Sequence, residues 1–162
     1  AISAGGSCVC AIILAILTWG MKKTQKNQLK LDLYEKRYEV YQKFLDFYKI
    51  CYCICSASGQ QIDKANKKIL FILHEIRPKI AFLFETNSGI NPVLVDEIHR
   101  KYSELRASIE DKAIHSGGGQ YPNHVKYDAD CEKTRIIQQW FEQQQQILTE
   151  LFTPYLDFSK IK

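Results

Sequence analysis

The first 21 residues of the chain contain no charged side chain, and residues 9–17 form a nearly continuous aliphatic run. A helix needs about 20 apolar residues to span the hydrocarbon core of a bilayer. The pattern therefore predicts a transmembrane helix over residues 1–21, a basic juxtamembrane segment over 22–31 and a water-facing domain over 32–162. A cleaved signal peptide is the alternative, but it would carry its positive charge before the apolar run and a small-residue cleavage site after it.

The segment from Leu31 to Ser58 contains no proline or glycine and is predicted to be helical. It carries two adjacent apolar or aromatic stripes at helical spacing, which together cover more than the usual third of a helix surface. We expect this helix to be covered on two sides, at the centre of a bundle or at an oligomer interface. The aromatic residues fit a core better than a ligand-binding aromatic box. We assign the protein interface to four tyrosines of the second stripe: Tyr34, Tyr38, Tyr41 and Tyr48.

Three further helical regions follow. Apolar spacing predicts a second helix from about Ile62, ending near Arg77 because proline disfavours helical geometry in the residue before it. Asn91 and Pro92 are typical of a helix start, and that helix should extend to about His115. A last long helix should begin near Lys126 and fray around Pro154. The fold class is therefore all-α, an N-terminal transmembrane helix continuing into a cytoplasmic bundle of about four helices.

The net charge of +4 comes from the juxtamembrane lysines, because the rest of the chain has 18 basic and 18 acidic residues. A balanced domain lacks the basic stripe of a nucleic-acid-binding surface, so no nucleic-acid partner is predicted. Positive charge after the apolar run places the C-terminal domain in the cytoplasm, with the protein a single-pass inner-membrane protein. The residues predicted to contact lipid headgroups are Trp19, Lys22, Lys23, Lys26 and Lys30.

No catalytic or metal-binding pattern is convincing. His115, His124 and Cys131 flank a glycine-rich loop, but a zinc site requires paired ligands at short spacings. Cys53 and His74 fall on neighbouring predicted helices, and nothing near them marks a nucleophile and its base. We therefore predict no catalytic residues, no metal ligands and no cofactor, and we do not expect an enzyme.

The sequence Leu-Tyr-Glu-Lys-Arg-Tyr-Glu-Val-Tyr at 33–41, placed shortly after an apolar span, resembles small bacterial single-span inner-membrane proteins with a cytoplasmic helical domain. Residues 82–84 and 151–156 are similar to later parts of that pattern. The resemblance implies a bacterial membrane protein and supplies no catalytic positions.

These features lead to two functional expectations. The first is an interaction module that self-associates or holds a membrane-protein partner at the inner membrane face. The alternative is a membrane-perturbing or pore-forming effector, for example of an antiviral defence system, controlled by its cytoplasmic bundle. Small residues every four positions predict a face for packing between membrane helices, because close backbone approach drives helix association in lipid. These residues are Ser3, Ser7, Ala11 and Ala15.

Overall fold

A computed structural model describes the backbone of residues 3–54, 59–84, 88–116 and 124–157, with side chains from Leu14 onwards. Within these ranges the chain forms four α-helices and no β-strand. The predicted all-α bundle is thus confirmed. The helices are α1 (Ser3–Ile54), α2 (Gly59–Leu83), α3 (Pro92–His115) and α4 (His124–Leu156).

The four helices pack with alternating direction. Lys79, near the end of α2, contacts Glu39 of α1, although α2 begins just after α1 ends, so the two helices are antiparallel. Tyr102, in the middle of α3, contacts Asn66 near the start of α2, so α3 is antiparallel to α2. Helix α4 packs against both α3 and α1, which closes the bundle. The C-terminal part of α1 therefore packs against both α2 and α4. The second stripe is only partly covered, because Tyr38 and Tyr52 are 44% and 63% exposed.

The core is built on one face of α1. Val40, Phe44, Phe47 and Cys51 recur at spacings of four, three and four, and each is at most 1% exposed. Residues at this spacing lie above one another on a helix. Phe47 contacts the rings of Tyr102 on α3 and Phe141 on α4, at centroid distances of 6.2 and 5.9 Å. A single aromatic side chain of α1 thus joins three helices.

Helix α2 does not end before Pro78, and the prediction that it would was wrong. The helix continues through the proline to Leu83. Proline removes one backbone hydrogen bond and crowds the preceding turn. Pro78 and His74 both lie on the exposed face, so water can hydrate the carbonyl that loses its partner. Ile76 and Ile80, on the opposite face, are fully buried and hold the helix to the core across the interruption. Pro154 similarly lies inside α4, two residues before its end.

The start of α3 is as predicted. Asn91 has an extended backbone, and its side-chain oxygen accepts a hydrogen bond from the Leu94 amide at 3.1 Å. Pro92 occupies the first turn, where its missing N–H would have no helical partner in any case. Gly89 precedes this cap with a φ of +75°, a left-handed conformation that L side chains rarely adopt.

Four charged side chains join α1 to α2. Lys79 donates to Glu39 at 2.8 Å and to Glu75 at 2.9 Å. Lys43 lies 3.3 Å from Glu39 and also pairs with Glu75. Each cation therefore contacts both anions. Lys79 chiefly lowers the pKa of Glu39, and Lys43 chiefly lowers that of Glu75, each from an ordinary value of 4.5.

These lowered pKa values predict that the bundle loses stability in acid. A carboxylate stabilises the fold if its pKa is lower in the folded state than in the unfolded state. This stabilisation is fully present at a pH above the unfolded-state pKa. It disappears as the pH falls through the folded-state pKa. Replacing both Glu39 and Glu75 with Gln should lower the urea midpoint at pH 7. The difference from the wild type should shrink steadily as the pH falls below about 4.5.

Glu35→Gln provides the control, because this glutamate is an exposed residue of the same helix. This substitution should leave the urea midpoint nearly unchanged at pH 7 and at pH 3, as surface substitutions usually do. A gap between the wild type and the double variant that is as wide at pH 3 as at pH 7 would contradict the assignment.

Candidate interaction surface

The N-terminal half of α1 projects from the bundle. Every described side chain from Leu14 to Asp32 is exposed except that of Lys30, which is half-buried. The apolar side chains at the start of this stretch are 57–69% exposed. They are Leu14, Ile16, Leu17, Trp19 and Met21. In other proteins, large exposed apolar surfaces are typical of sites that contact another molecule or lipid.

The predicted headgroup residues lie on this same helix. The Lys23 ammonium lies 5.7 Å from the centroid of the Trp19 ring, a cation–π contact. Lys22, Lys23 and Lys26 are exposed. Lys30 is half-buried, and it lies four residues, about 6 Å, beyond Lys26 along the helix.

In the part of the chain that the structure describes, no helix is both long enough and apolar enough to cross a membrane. Of the residues predicted to pack between membrane helices, the side chains of Ser3, Ser7 and Ala11 lie outside the described ones. Ala15 is exposed. That face therefore stays a prediction.

The four tyrosines assigned to a protein interface have different environments. Tyr34 and Tyr38 stack with ring centroids 6.2 Å apart and an interplanar angle of 8°, and Tyr38 is 44% exposed. Tyr41 is half-buried, with its ring 5.3 Å from that of Phe152 and its hydroxyl 3.4 Å from Thr149. Tyr48 is only 3% exposed and belongs to the core, so it cannot contact a partner unless the bundle opens. The accessible part of this surface is the Tyr34–Tyr38 pair.

Arg37 lies where α1 joins the bundle, next to this pair. Its Nε donates to the Leu83 carbonyl at 3.0 Å, at the end of α2. The guanidinium lies 5.5 Å from the Phe84 ring centroid and 5.0 Å from that of Tyr155 on α4. One side chain therefore binds the end of α2 and the end of α4 to α1, and it fixes the point from which the helix projects.

The candidate chemical groups do not assemble into a reactive site. His115 Nδ1 lies 2.7 Å from an Asp130 oxygen, an ion pair or hydrogen bond that joins α3 to α4. No group of three or more His, Cys, Asp or Glu side chains among the described residues could hold a metal. Lys43 of α1 pairs with Glu75 of α2, and Cys53 lies ten residues beyond Lys43, about 15 Å along the helix. The structure therefore does not bring Cys53 and His74 together.

Sequence reasoning missed an unusual polar atom in the core. The Tyr48 hydroxyl is buried and has no hydrogen-bond partner among the described residues. Burial also raises the pKa of Tyr48, which stays neutral. Tyr102 provides the contrast, because its hydroxyl donates to the Asn66 side chain at 2.8 Å. The helical spacing of apolar residues predicts that Tyr48 lies on a helix. It does not indicate whether the Tyr48 hydroxyl forms a hydrogen bond.

Comparisons with known protein families, with curated proteins and with solved structures found no match to this chain.

Removal of the hydroxyl oxygen should change the free energy of unfolding differently at Tyr102 and at Tyr48. Tyr102→Phe should lower the free energy of unfolding by about 1 kcal/mol, because it breaks a hydrogen bond and leaves Asn66 without that donor. Tyr48→Phe should leave the free energy unchanged or raise it by up to about 1 kcal/mol, because a buried hydroxyl without a partner is itself unfavourable. Urea unfolding followed by circular dichroism measures both. Equal destabilisation by the two changes would mean that Tyr48 has a partner in the folded protein.

Proposed function

We propose that this chain is a membrane-anchored interaction module. In this proposal, residues 1–21 hold the protein in the inner membrane, and the bundle on the cytoplasmic face binds a second copy or a membrane-protein partner. The observation that carries the proposal is the projecting half of α1. Its large apolar side chains have no cover from the rest of the bundle. Lipid would cover them on all sides.

The dimensions and charge of α1 support this arrangement. From Ser3 to Met21 the helix extends roughly 27 Å at 1.5 Å per residue, close to the thickness of a bilayer hydrocarbon core. Trp19 then lies near one end of the apolar segment, where tryptophan favours the membrane interface. Lys22, Lys23 and Lys26 follow within about two turns, and each lysine near an anionic surface contributes about 1 kcal/mol of attraction.

Two matched arginine substitutions test the anchor. Leu14 and Leu29 are 63% and 70% exposed on the same helix, one before and one after the first lysines. Arginine near the middle of an anchor costs about 2.5–3.5 kcal/mol, so Leu14→Arg should move much of the protein out of the membrane fraction. Leu29→Arg lies in the basic segment and should leave the distribution unchanged.

Both variants should be expressed as the full chain and separated by centrifugation after a high-salt wash. Circular dichroism should confirm that each stays helical. If Leu14→Arg remains in the membrane to the same extent as Leu29→Arg, the apolar segment is not the anchor.

The Tyr34–Tyr38 pair is the proposed contact surface of the bundle. Tyrosine provides a large contact area with little loss of side-chain freedom, and it is enriched among residues that dominate binding energy. The pair stands directly beside Arg37, where α1 is fixed to α2 and α4. A contact made there would act on a rigid part of the fold. The small-residue face that includes Ala15 would add a second contact within the membrane.

Replacing both Tyr34 and Tyr38 with Ala should weaken assembly by roughly tenfold or more, if this pair is central to the interface. Tyr41 is left intact because it packs on Phe152 and supports the fold. Tyr52→Ala is the control, since Tyr52 is 63% exposed near the other end of α1. The mass of the detergent-extracted protein at several concentrations, together with its co-purifying proteins, gives the measurement. An unchanged mass and unchanged partners in the double variant would exclude this pair as the interface.

A further inference from the structure

One face of α1 points away from the bundle and carries apolar side chains at seven-residue spacing: Leu31, Tyr38, Leu45 and Tyr52. Residues seven apart stay nearly in line along a helix, with a drift of about 20° per repeat. Tyr38, Leu45 and Tyr52 each precede an almost fully buried core residue by two positions, which is about 200° around a helix. We call this surface the outer face of α1.

The outer face has apolar area available to another helix. Leu31, Tyr38 and Tyr52 are 43%, 44% and 63% exposed, and Leu45 is half-buried. Repeated apolar residues along one side of a helix are typical of helices that pair along their length. The apolar residues alone do not indicate which helix pairs with this face.

The polar side chains of the outer face restrict its partner. Glu35, Gln42 and Lys49 are again seven residues apart, between the apolar positions, and all three are exposed. Among the residues that the structure describes, no ion pair involves Glu35 or Lys49. The face therefore has an acidic residue on one side of Gln42 and a basic residue at the same distance on the other side.

This order makes the outer face complementary to itself in one orientation. If a two-fold axis at Gln42 relates two copies, their α1 helices run antiparallel, and Glu35 of each copy lies opposite Lys49 of the other. Tyr38 of one copy then lies beside Leu45 of the other, so apolar side chains also meet. A symmetric dimer requires such self-complementarity. Parallel copies would instead place Glu35 opposite Glu35 and Lys49 opposite Lys49, which is unfavourable.

We propose that the outer face of α1 pairs antiparallel with the same face of a second copy of this chain. The pairing identifies the partner of the Tyr34–Tyr38 surface, so it rests on the interaction module of the proposed function and not on the membrane anchor. Tyr38 lies about one turn from the axis, at the centre of the contact. Leu31 and Tyr52 lie at its ends, where contacts contribute little to affinity.

The antiparallel orientation has a consequence for anchored copies. Met21 precedes Gln42 by 21 residues, about 30 Å along the helix, so the two projecting halves point in opposite directions with their Met21 residues about 60 Å apart. Two anchored copies paired in this way would lie in two facing membranes and not side by side in one.

Charge reversal tests the pairing in the full chain in detergent. Glu35→Lys places a lysine opposite Lys49 at two symmetry-related positions, so it should weaken the dimer by roughly tenfold. Lys49→Glu should weaken it to a similar extent. The double variant restores opposite charges and should recover most of the wild-type affinity. Reversal is used because loss of one exposed attraction changes affinity little. Sedimentation equilibrium in density-matched detergent, at several protein concentrations, measures the dissociation constant.

Glu97→Lys is the matched control, because it makes the same charge change at an exposed residue of α3. It should leave the dissociation constant unchanged. The pairing is overturned if the wild type is monomeric at every concentration, if the single reversals do not weaken the dimer, or if the double variant stays as weak as either single variant. If the reversals have no effect while loss of Tyr34 and Tyr38 still weakens assembly, the proposed surface stands and its partner is not an antiparallel second copy.

Discussion

Burial of one stripe of α1 is the interaction on which the rest of the bundle depends. Val40, Phe44, Phe47 and Cys51 are almost completely removed from water, and the helices around them are arranged to cover that stripe. The large side chains among them each contribute about 1.5–3 kcal/mol through burial, a large share of the stability of a small domain. Since Phe47 contacts rings on α3 and α4, a change in the rotation of α1 would disturb two interhelical contacts at once.

The same helix has two different environments along its length. Beyond Arg37 one face of the helix is buried against the rest of the bundle, whereas every described side chain from Leu14 to Leu29 is exposed. Most helical stability in proteins comes from tertiary packing, which the bundle provides only to the second half of α1. Arg37 divides the two regions, because it contacts the last carbonyl of α2 and the ring of Tyr155. The external contact proposed for this helix would cover its exposed apolar half, while Arg37 holds the junction with the bundle.

Periodicity predicted the helices and most of the core, because burial of a continuous apolar stripe determines where a helix packs. Periodicity did not predict how α2 continues through a proline, nor which residues of a stripe the neighbouring helices cover. Pro78 was expected to end α2, yet the exposed face on which it lies tolerates the lost hydrogen bond. Tyr48 and Tyr52 follow the same spacing as Tyr34, but only Tyr48 is buried, because α4 covers the helix at that level through Phe141. The width of the covered face depends on the neighbouring helices, and no local pattern contains that information.

Polar groups inside the bundle show why the Tyr48 hydroxyl stands out. Ser108 on α3 and Thr134 on α4 are both buried, and their hydroxyls lie 2.8 Å apart, so they satisfy each other. Tyr102 reaches Asn66 in the same way. A phenylalanine at position 48 would keep the ring contacts with Phe47 and Phe141 without burying an unpartnered oxygen. The oxygen therefore makes the folded bundle less stable than a phenylalanine at this position would.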